Sequence, residues 1–342
     1  MNLHEDKTLF VQAIQATAQR MTAQGKSIPE IYVEKDYWVT VALHRIYHSD
    51  AGEFAIFKGG TALSKCHGLI ERFSEDLDMV VVRTEGDNGN TLKNKLRTIS
   101  KSIEDIMPEV ELQGITNKRG MIRKTAHQYP KAGVQGIYGQ VREQIIIESS
   151  WLGTFEPHVK SMVSCYITEM MIATGQQAMV EKHSMQPFEV QVLSKERTLC
   201  EKIMSLVRFS QTETPYDDLA NKIRHIYDLH LMMQDSGVSG FVKSTAFDEM
   251  MNIVGNDDVQ GFKNNNQWLA NHPAEALIFK APAETWDRIR APYRTTFKDL
   301  VTGPMPAEAD LVTTLTALGE RLKDIAWSVQ PPVPDTTDNA NA

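Results

Sequence analysis

Through the first fifty residues, apolar positions recur at helical intervals: Leu9, Val11, Ile14 and Ala18, then a longer stripe of Ile31, Tyr37, Trp38, Val41, Leu43, Ile46 and Tyr47. Glu34, Lys35 and Asp36 put charge beside Tyr37 and Trp38. That pattern predicts an amphipathic helix packed on the core that follows, with direct contact of Lys35 to substrate as the alternative reading. The period then changes to two. An apolar strand over residues 54–57 runs into Gly59-Gly60-Thr61, and after a helix-length spacer a second apolar strand covers residues 76–82. A helix is predicted over 91–106, then short strands near 110–115, 133–138 and 144–150, which suggest an antiparallel continuation of the sheet. From about Pro157 the pattern turns helical, apart from a strand at 188–193. Ser194 is expected to cap a helix with Leu199, Ile203, Leu206 and Val207 on its buried stripe, and a second helix follows Pro215. Beyond residue 236, turns at 255–258 and 264–266 separate short helices, and the polar, proline-rich stretch 331–342 is predicted to be disordered.

The chemistry concentrates between residues 57 and 82. Side chains alternate along a strand, so Asp76 and Asp78 point the same way while Leu77 and Met79 point the other. Two carboxylates side by side repel unless a cation lies between them, and oxygen-only ligation suits Mg²⁺. Gly59 and Gly60 let backbone come close to phosphate oxygens, and Thr61 stands where a new helix leaves N–H groups unpaired. A lone Gly-Gly-Thr is an ordinary turn, and a lone Asp-x-Asp is commonly a solvated strand edge. The ordered conjunction of strand, glycine turn, spacer and acid-bearing strand favours a metal-nucleotide site.

The stretch FKGGTALSKCHGLIERFSEDLDMVV, from Phe57, resembles the glycine-turn and acid-pair motif of the nucleotidyltransferase superfamily that includes DNA polymerase beta. More narrowly it is similar to the AbiEii/AbiGii abortive-infection toxins, whose Arg-Phe-Ser-x-Asp-x-Asp run is matched by Arg72, Phe73, Ser74, Asp76 and Asp78. The run Glu34-Lys35-Asp36-Tyr37-Trp38, the segment from Glu196 to Ile203 and the segment from Arg224 to Leu229 extend the likeness over residues 30–235. The resemblance implies an α+β fold: a polymerase-beta-like core with a mixed sheet over residues 1–193, then a mainly helical lobe over 194–330. It implies Mg²⁺, or Mn²⁺, on Asp76 and Asp78. An NTP would lie on Lys58, Gly59, Gly60, Thr61, Ser74 and Lys202, and Asp228 would orient Lys202 or the nucleotide. Glu148, after three isoleucines, is the candidate third carboxylate that accepts the acceptor's proton, against the plain reading of an exposed acid past a buried strand. Without the likeness, Lys202 reads as a surface lysine, and Arg224 with Asp228 as a surface i, i+4 pair. The implied activity is nucleotidyl transfer by a toxin of a toxin–antitoxin or phage-defence system, onto RNA and first onto a tRNA 3′ end, with a cognate antitoxin encoded nearby. The alternatives are transfer onto a protein hydroxyl, including its own, and a noncatalytic nucleotide or RNA sensor.

Composition sharpens the picture in three places. The chain of 342 residues has a net charge of −8, which argues against indiscriminate coating of nucleic acid. Residues 117–131 nevertheless hold Lys118, Arg119, Arg123, Lys124 and Lys131 without an acid, and add His127 and Tyr129. Such a stretch suits either an RNA-tracking patch or a solvated loop. Cys66, Cys165 and Cys200 lie far apart, and no apolar run of membrane-spanning length occurs. The expectation is a cytoplasmic protein without structural zinc or a membrane partner.

Overall fold

The computed structural model describes residues 1–263 and 265–332. The disorder expected over 331–342 falls outside the described residues from 333 onward, and so does Asn264 of the turn expected at 264–266. Its described residues form two compact units, one of residues 1–195 with 295–305, the other of residues within 196–294 together with 306–332.

The first unit is built on seven strands: β1 (Ala55–Lys58), β2 (Leu77–Val81), β3 (Glu109–Val110), β4 (Ile122–His127), β5 (Ile145–Ser150), β6 (His158–Val163) and β7 (Phe188–Leu193). They lie in the order β3-β4-β5-β2-β1-β7-β6. The sheet is mixed, with β1 antiparallel to β2 and parallel to β7, and β2 parallel to β5. An α+β fold with a mixed sheet is thus what the chain adopts. Two helices precede the sheet, α1 (Lys7–Ala23) and α2 (Glu30–Tyr47), and α3 (Gly59–Lys65) and α4 (Gly89–Lys101) follow β1 and β2.

Helix α2 departs from the amphipathic expectation, because it is buried almost without interruption from Ile31 to Leu43. Its three successive charges are buried too, and each anchors a different segment. Glu34 accepts the Ala132 N–H. Lys35 pairs with Glu75 at 3.1 Å. Asp36 pairs with Lys65 of α3 at 2.5 Å and accepts the Tyr166 N–H at 2.8 Å. A helix polar on one face would show these groups to water; here distant partners satisfy them, as buried ions require. Lys35 is therefore a buried structural ion rather than a group offered to substrate.

The basic stretch also differs from expectation. Residues 122–127 are strand β4, and no strand forms over 133–138. Lys118 and Arg123 pair with Glu109, Lys124 with Glu148 and Lys131 with Glu143. His127 is buried and bonded to the Met107 carbonyl and Thr125. Tyr129 is buried, stacked on Trp38, and shares a hydrogen bond with Tyr138. An aromatic in that position is closed to an RNA base, and the cations named are already matched by acids. Strand β6 lies where helix was expected, at an edge of the sheet, with Val159 and Met162 exposed. The segment 295–305 joins the first unit by pairing with residues 71–73: Phe73 N–H donates to Leu300 O at 2.7 Å, and Thr302 N–H to Glu71 O at 2.8 Å.

The second unit is helical, beginning with α7 (Lys195–Phe209), after α5 (Tyr166–Ala173) and α6 (Gln177–Lys182) of the first. Then come α8 (Pro215–Ala220) and α9 (Ile223–Gln234), with further helices to Leu322. No described helix is long and apolar enough to cross a membrane.

Candidate active site

Strand register brings the first group of candidate residues together. Lys58 on β1 lies opposite Asp78 on β2, Asp78 opposite Glu148 on β5, and Glu148 opposite Lys124 on β4. Residues directly opposite share a face of the sheet, so the four side chains form a row of charge: plus, minus, minus, plus. Lys124 Nζ reaches Glu148 Oε2 at 2.7 Å. Asp76 stands just ahead of β2, and Arg142 Nη1 approaches its Oδ1 at 3.4 Å.

The acids repel one another. Asp78's carboxyl is pushed up to about 7, first by burial, then by the charges of Asp76 and Glu148, against a smaller pull from Lys58 and Lys124. Two further acids close to a buried carboxyl make a place where a divalent cation fits. Asp76 and Asp78 would hold one, with Glu148 beside them. Among the described residues no three acids, histidines or cysteines form a complete metal cage. Phosphate or water oxygens would have to fill the remaining positions, as is usual for Mg²⁺.

The glycine turn lies against this row. Gly59 has φ +81°, and a Cβ there would overlap the Asp78 carboxylate. Only glycine lets the chain turn out of β1 at that point without displacing the acid. At Gly60 a Cβ would come within 2.6 Å of Arg72 Nη2 and 3.0 Å of Ser74 Oγ. Ser74 Oγ accepts from Thr61 Oγ1 at 3.0 Å, so residues 72–74 rest on the first turn of α3. Phe73 stacks on Tyr32 of α2 at 4.6 Å and holds that segment from the other side. Gly59→Ala is expected to cost about 1–3 kcal/mol from backbone strain and to displace Asp78. A lowered urea midpoint together with lost activity would show it; a variant matching the parent in both would contradict the packing.

Lys202 and Asp228 are brought together within the second unit. Lys202 on α7 is buried and pairs with Asp228 Oδ2 on α9 at 2.7 Å, and Asp228 is fully buried. The readings of Lys202 as a surface lysine and of Asp228 as half of a surface pair with Arg224 are both corrected. Arg197, one turn ahead of Glu201, is buried as well, and pairs with Asp257 at 2.5 Å and Glu201 at 3.3 Å. Three residues beside the first group escaped the sequence reading: Lys124 as partner of Glu148, Glu75 as partner of Lys35, and Arg142 beside Asp76. Only Glu75 carried a signal, being an acid in the run before Asp76.

No curated protein matches the sequence. Among solved structures, the chain is similar to MenT4, a nucleotidyltransferase toxin from Mycobacterium tuberculosis H37Rv, at 14% identity and a TM-score of 0.45, covering 93% of this chain and 89% of that one. The family pattern described as "Nucleotidyl transferase AbiEii toxin, Type IV TA system" matches residues 41–314, a span that holds the glycine turn, the acid-bearing strands and the Lys202–Asp228 pair. On that match the chain belongs to the AbiEii family of toxins, and it is a nucleotidyltransferase.

Proposed function

We propose that the chain transfers a nucleoside monophosphate from an NTP to an RNA hydroxyl, the 3′ end of a tRNA first, with Mg²⁺ as cofactor and Mn²⁺ as a substitute. Its setting would be phage defence in the cytoplasm, restrained by an antitoxin encoded nearby. The observation that carries the chemistry is the row Lys58, Asp78, Glu148 and Lys124 against the glycine turn.

When bound, a divalent cation relieves the repulsion of Asp76 and Asp78 and offsets phosphate charge. The chain's own residues do the rest. Gly59 and Gly60 keep side chains out of the space beside Asp78 and Ser74, so that backbone can meet the triphosphate. Lys58, Thr61 and Ser74 bind the phosphates. An acceptor hydroxyl attacks the α-phosphorus, its proton goes to Glu148, and the bond to pyrophosphate breaks. Lys124 sets the position of Glu148 through their ion pair. Most of the gain comes from charge placed in advance, because no covalent intermediate with the protein is needed. Lys202 and Asp228 are proposed as the further cation for the triphosphate and the acid that orients it.

The RNA acceptor rests on the family likeness, since the basic stretch 117–131 no longer supports it. Purified chain incubated with labelled NTPs, and separately with total tRNA and total protein, decides the matter. Label on RNA with pyrophosphate release is expected. Label on protein would replace the acceptor, and tight nucleotide binding without pyrophosphate release would make the chain a sensor. Asp76→Ala should abolish transfer while melting close to the parent, because Asp76 is partly exposed and its ion pair with Arg142 is long.

A further inference from the structure

Arg142 lies three residues ahead of β5, and both of its backbone polar groups are gripped by one buried ion pair. Its N–H donates to Glu75 Oε1 at 2.7 Å, and its carbonyl accepts from Lys35 Nζ at 2.7 Å. Lys35 also donates to the Gln144 carbonyl at 2.5 Å and pairs with Glu75 Oε2 at 3.1 Å. The Lys35 side chain is 0% exposed and that of Glu75 6%. Burying two charges costs several kcal/mol per ion, and apolar replacements of such pairs are often as stable. Stability alone is a poor reason for this pair. What it does is hold one peptide segment immediately beside Asp76, the neighbour of Glu75 in the chain.

The Arg142 side chain is placed differently. It is 43% exposed, and it touches Asp76 Oδ1 only at 3.4 Å, near the limit of a hydrogen bond. A guanidinium offers five donors in a planar fork suited to phosphate, and a single long contact leaves that fork largely unused. Sheet order then selects the phosphate. The glycine turn follows β1 on one side of β2, whereas Arg142 and Glu148 belong to the β5 side. With the triphosphate on the glycine turn, the β5 side is where an acceptor comes in.

Resting on the nucleotidyl-transfer reading above, we infer that Arg142 binds the phosphodiester adjoining the acceptor hydroxyl of an RNA 3′ end, and that Lys35 and Glu75 are positioning residues for it. The test uses the full chain, a fluorescently labelled single-stranded ribohexanucleotide titrated across a salt series, and a nonhydrolysable NTP analogue titrated in parallel. Losing one phosphate contact on a single strand should flatten the slope of log affinity against log salt by about 0.7 in Arg142→Ala. Arg142→Lys, which keeps the charge, should retain the slope, and both variants should bind the NTP analogue as the parent does. Glu75→Gln keeps an oxygen for the Arg142 N–H but removes half of the buried pair; it should weaken RNA binding and spare the analogue. An unchanged slope in Arg142→Ala, a loss of analogue binding in its place, or a parent with no salt-dependent RNA affinity overturns the inference. A parent that transfers nucleotide to RNA while Arg142→Ala keeps the parental slope removes this inference alone. A parent that transfers to no acceptor removes the reading beneath it as well.

Discussion

Asp78→Asn is expected to lose nucleotidyl transfer by at least about 100-fold and yet to melt no lower than the parent in metal-free buffer. Both halves follow from the same crowding. Asp78's carboxyl stands at about 7 rather than near 3.8, because burial and the neighbouring acids disfavour its charge. A carboxyl whose folded pKa is raised holds its proton more tightly in the folded chain, so ionisation works against folding. The cost is absent below about pH 4, grows as pH rises toward 7, and is complete above it. Asparagine never ionises and escapes that cost. The full rise from near 3.8 to about 7 corresponds to an upper bound of about 4 kcal/mol, so the variant should gain up to that amount over the parent at pH 8 in a chelator, with the gain vanishing by pH 4. Added Mg²⁺ should raise the melting temperature of the parent and leave Asp78→Asn where it was. Calorimetry at the two pH values, with and without the ion, reads all three statements. A variant less stable than the parent at pH 8 would mean that burial and the neighbouring acids do not hold the Asp78 carboxyl up.

How much of this was legible in the sequence depends on the range of the interaction that decides each feature. The order of strand, glycine turn, spacer and acid-bearing strand is local, and period two suffices to set Asp76 and Asp78 on one side. Lys124 was not legible as the partner of Glu148, because that pairing is a matter of register between β4 and β5. Strand β4 was itself hidden. Its sequence Ile-Arg-Lys-Thr-Ala-His looks like part of a basic loop, and the acids that neutralise it, Glu109 and Glu148, come from elsewhere in the chain. The run Glu34-Lys35-Asp36 misled for the same reason. A triplet of charges on a helix normally faces water, and only the fold supplies Ala132, Glu75 and Lys65 to meet it. Strand β6 lies at an edge with Val159 and Met162 exposed, and its sequence His-Val-Lys-Ser-Met-Val carries no regular alternation to mark it. The return of residues 295–305 to pair with residues 71–73 is a backbone contact across more than two hundred residues, which side-chain patterns do not encode.

Lys202→Ala is expected to be among the most damaging single substitutions in the second unit, costing about 3–5 kcal/mol. Asp228 is fully buried, and removing the ammonium at 2.7 Å takes away a charge-assisted contact that water cannot replace. Asp228→Ala should cost a comparable amount by stranding the lysine. The informative variant is the double one, Lys202→Met with Asp228→Leu. It removes both charges and keeps most of the volume, so the desolvation cost disappears along with the attraction, and stability should recover to within about 1–2 kcal/mol of the parent. Urea denaturation of the four proteins measures the coupling directly. The recovered double variant then separates structure from chemistry. If Lys202 serves only to neutralise Asp228, a stable double variant transfers nucleotide at the parental rate. If Lys202 is the further cation for the triphosphate, the double variant folds, binds NTP more weakly, and remains inactive. Recovery of stability without recovery of transfer is the outcome expected here, because apolar packing would satisfy the fold more simply than a buried lysine and aspartate.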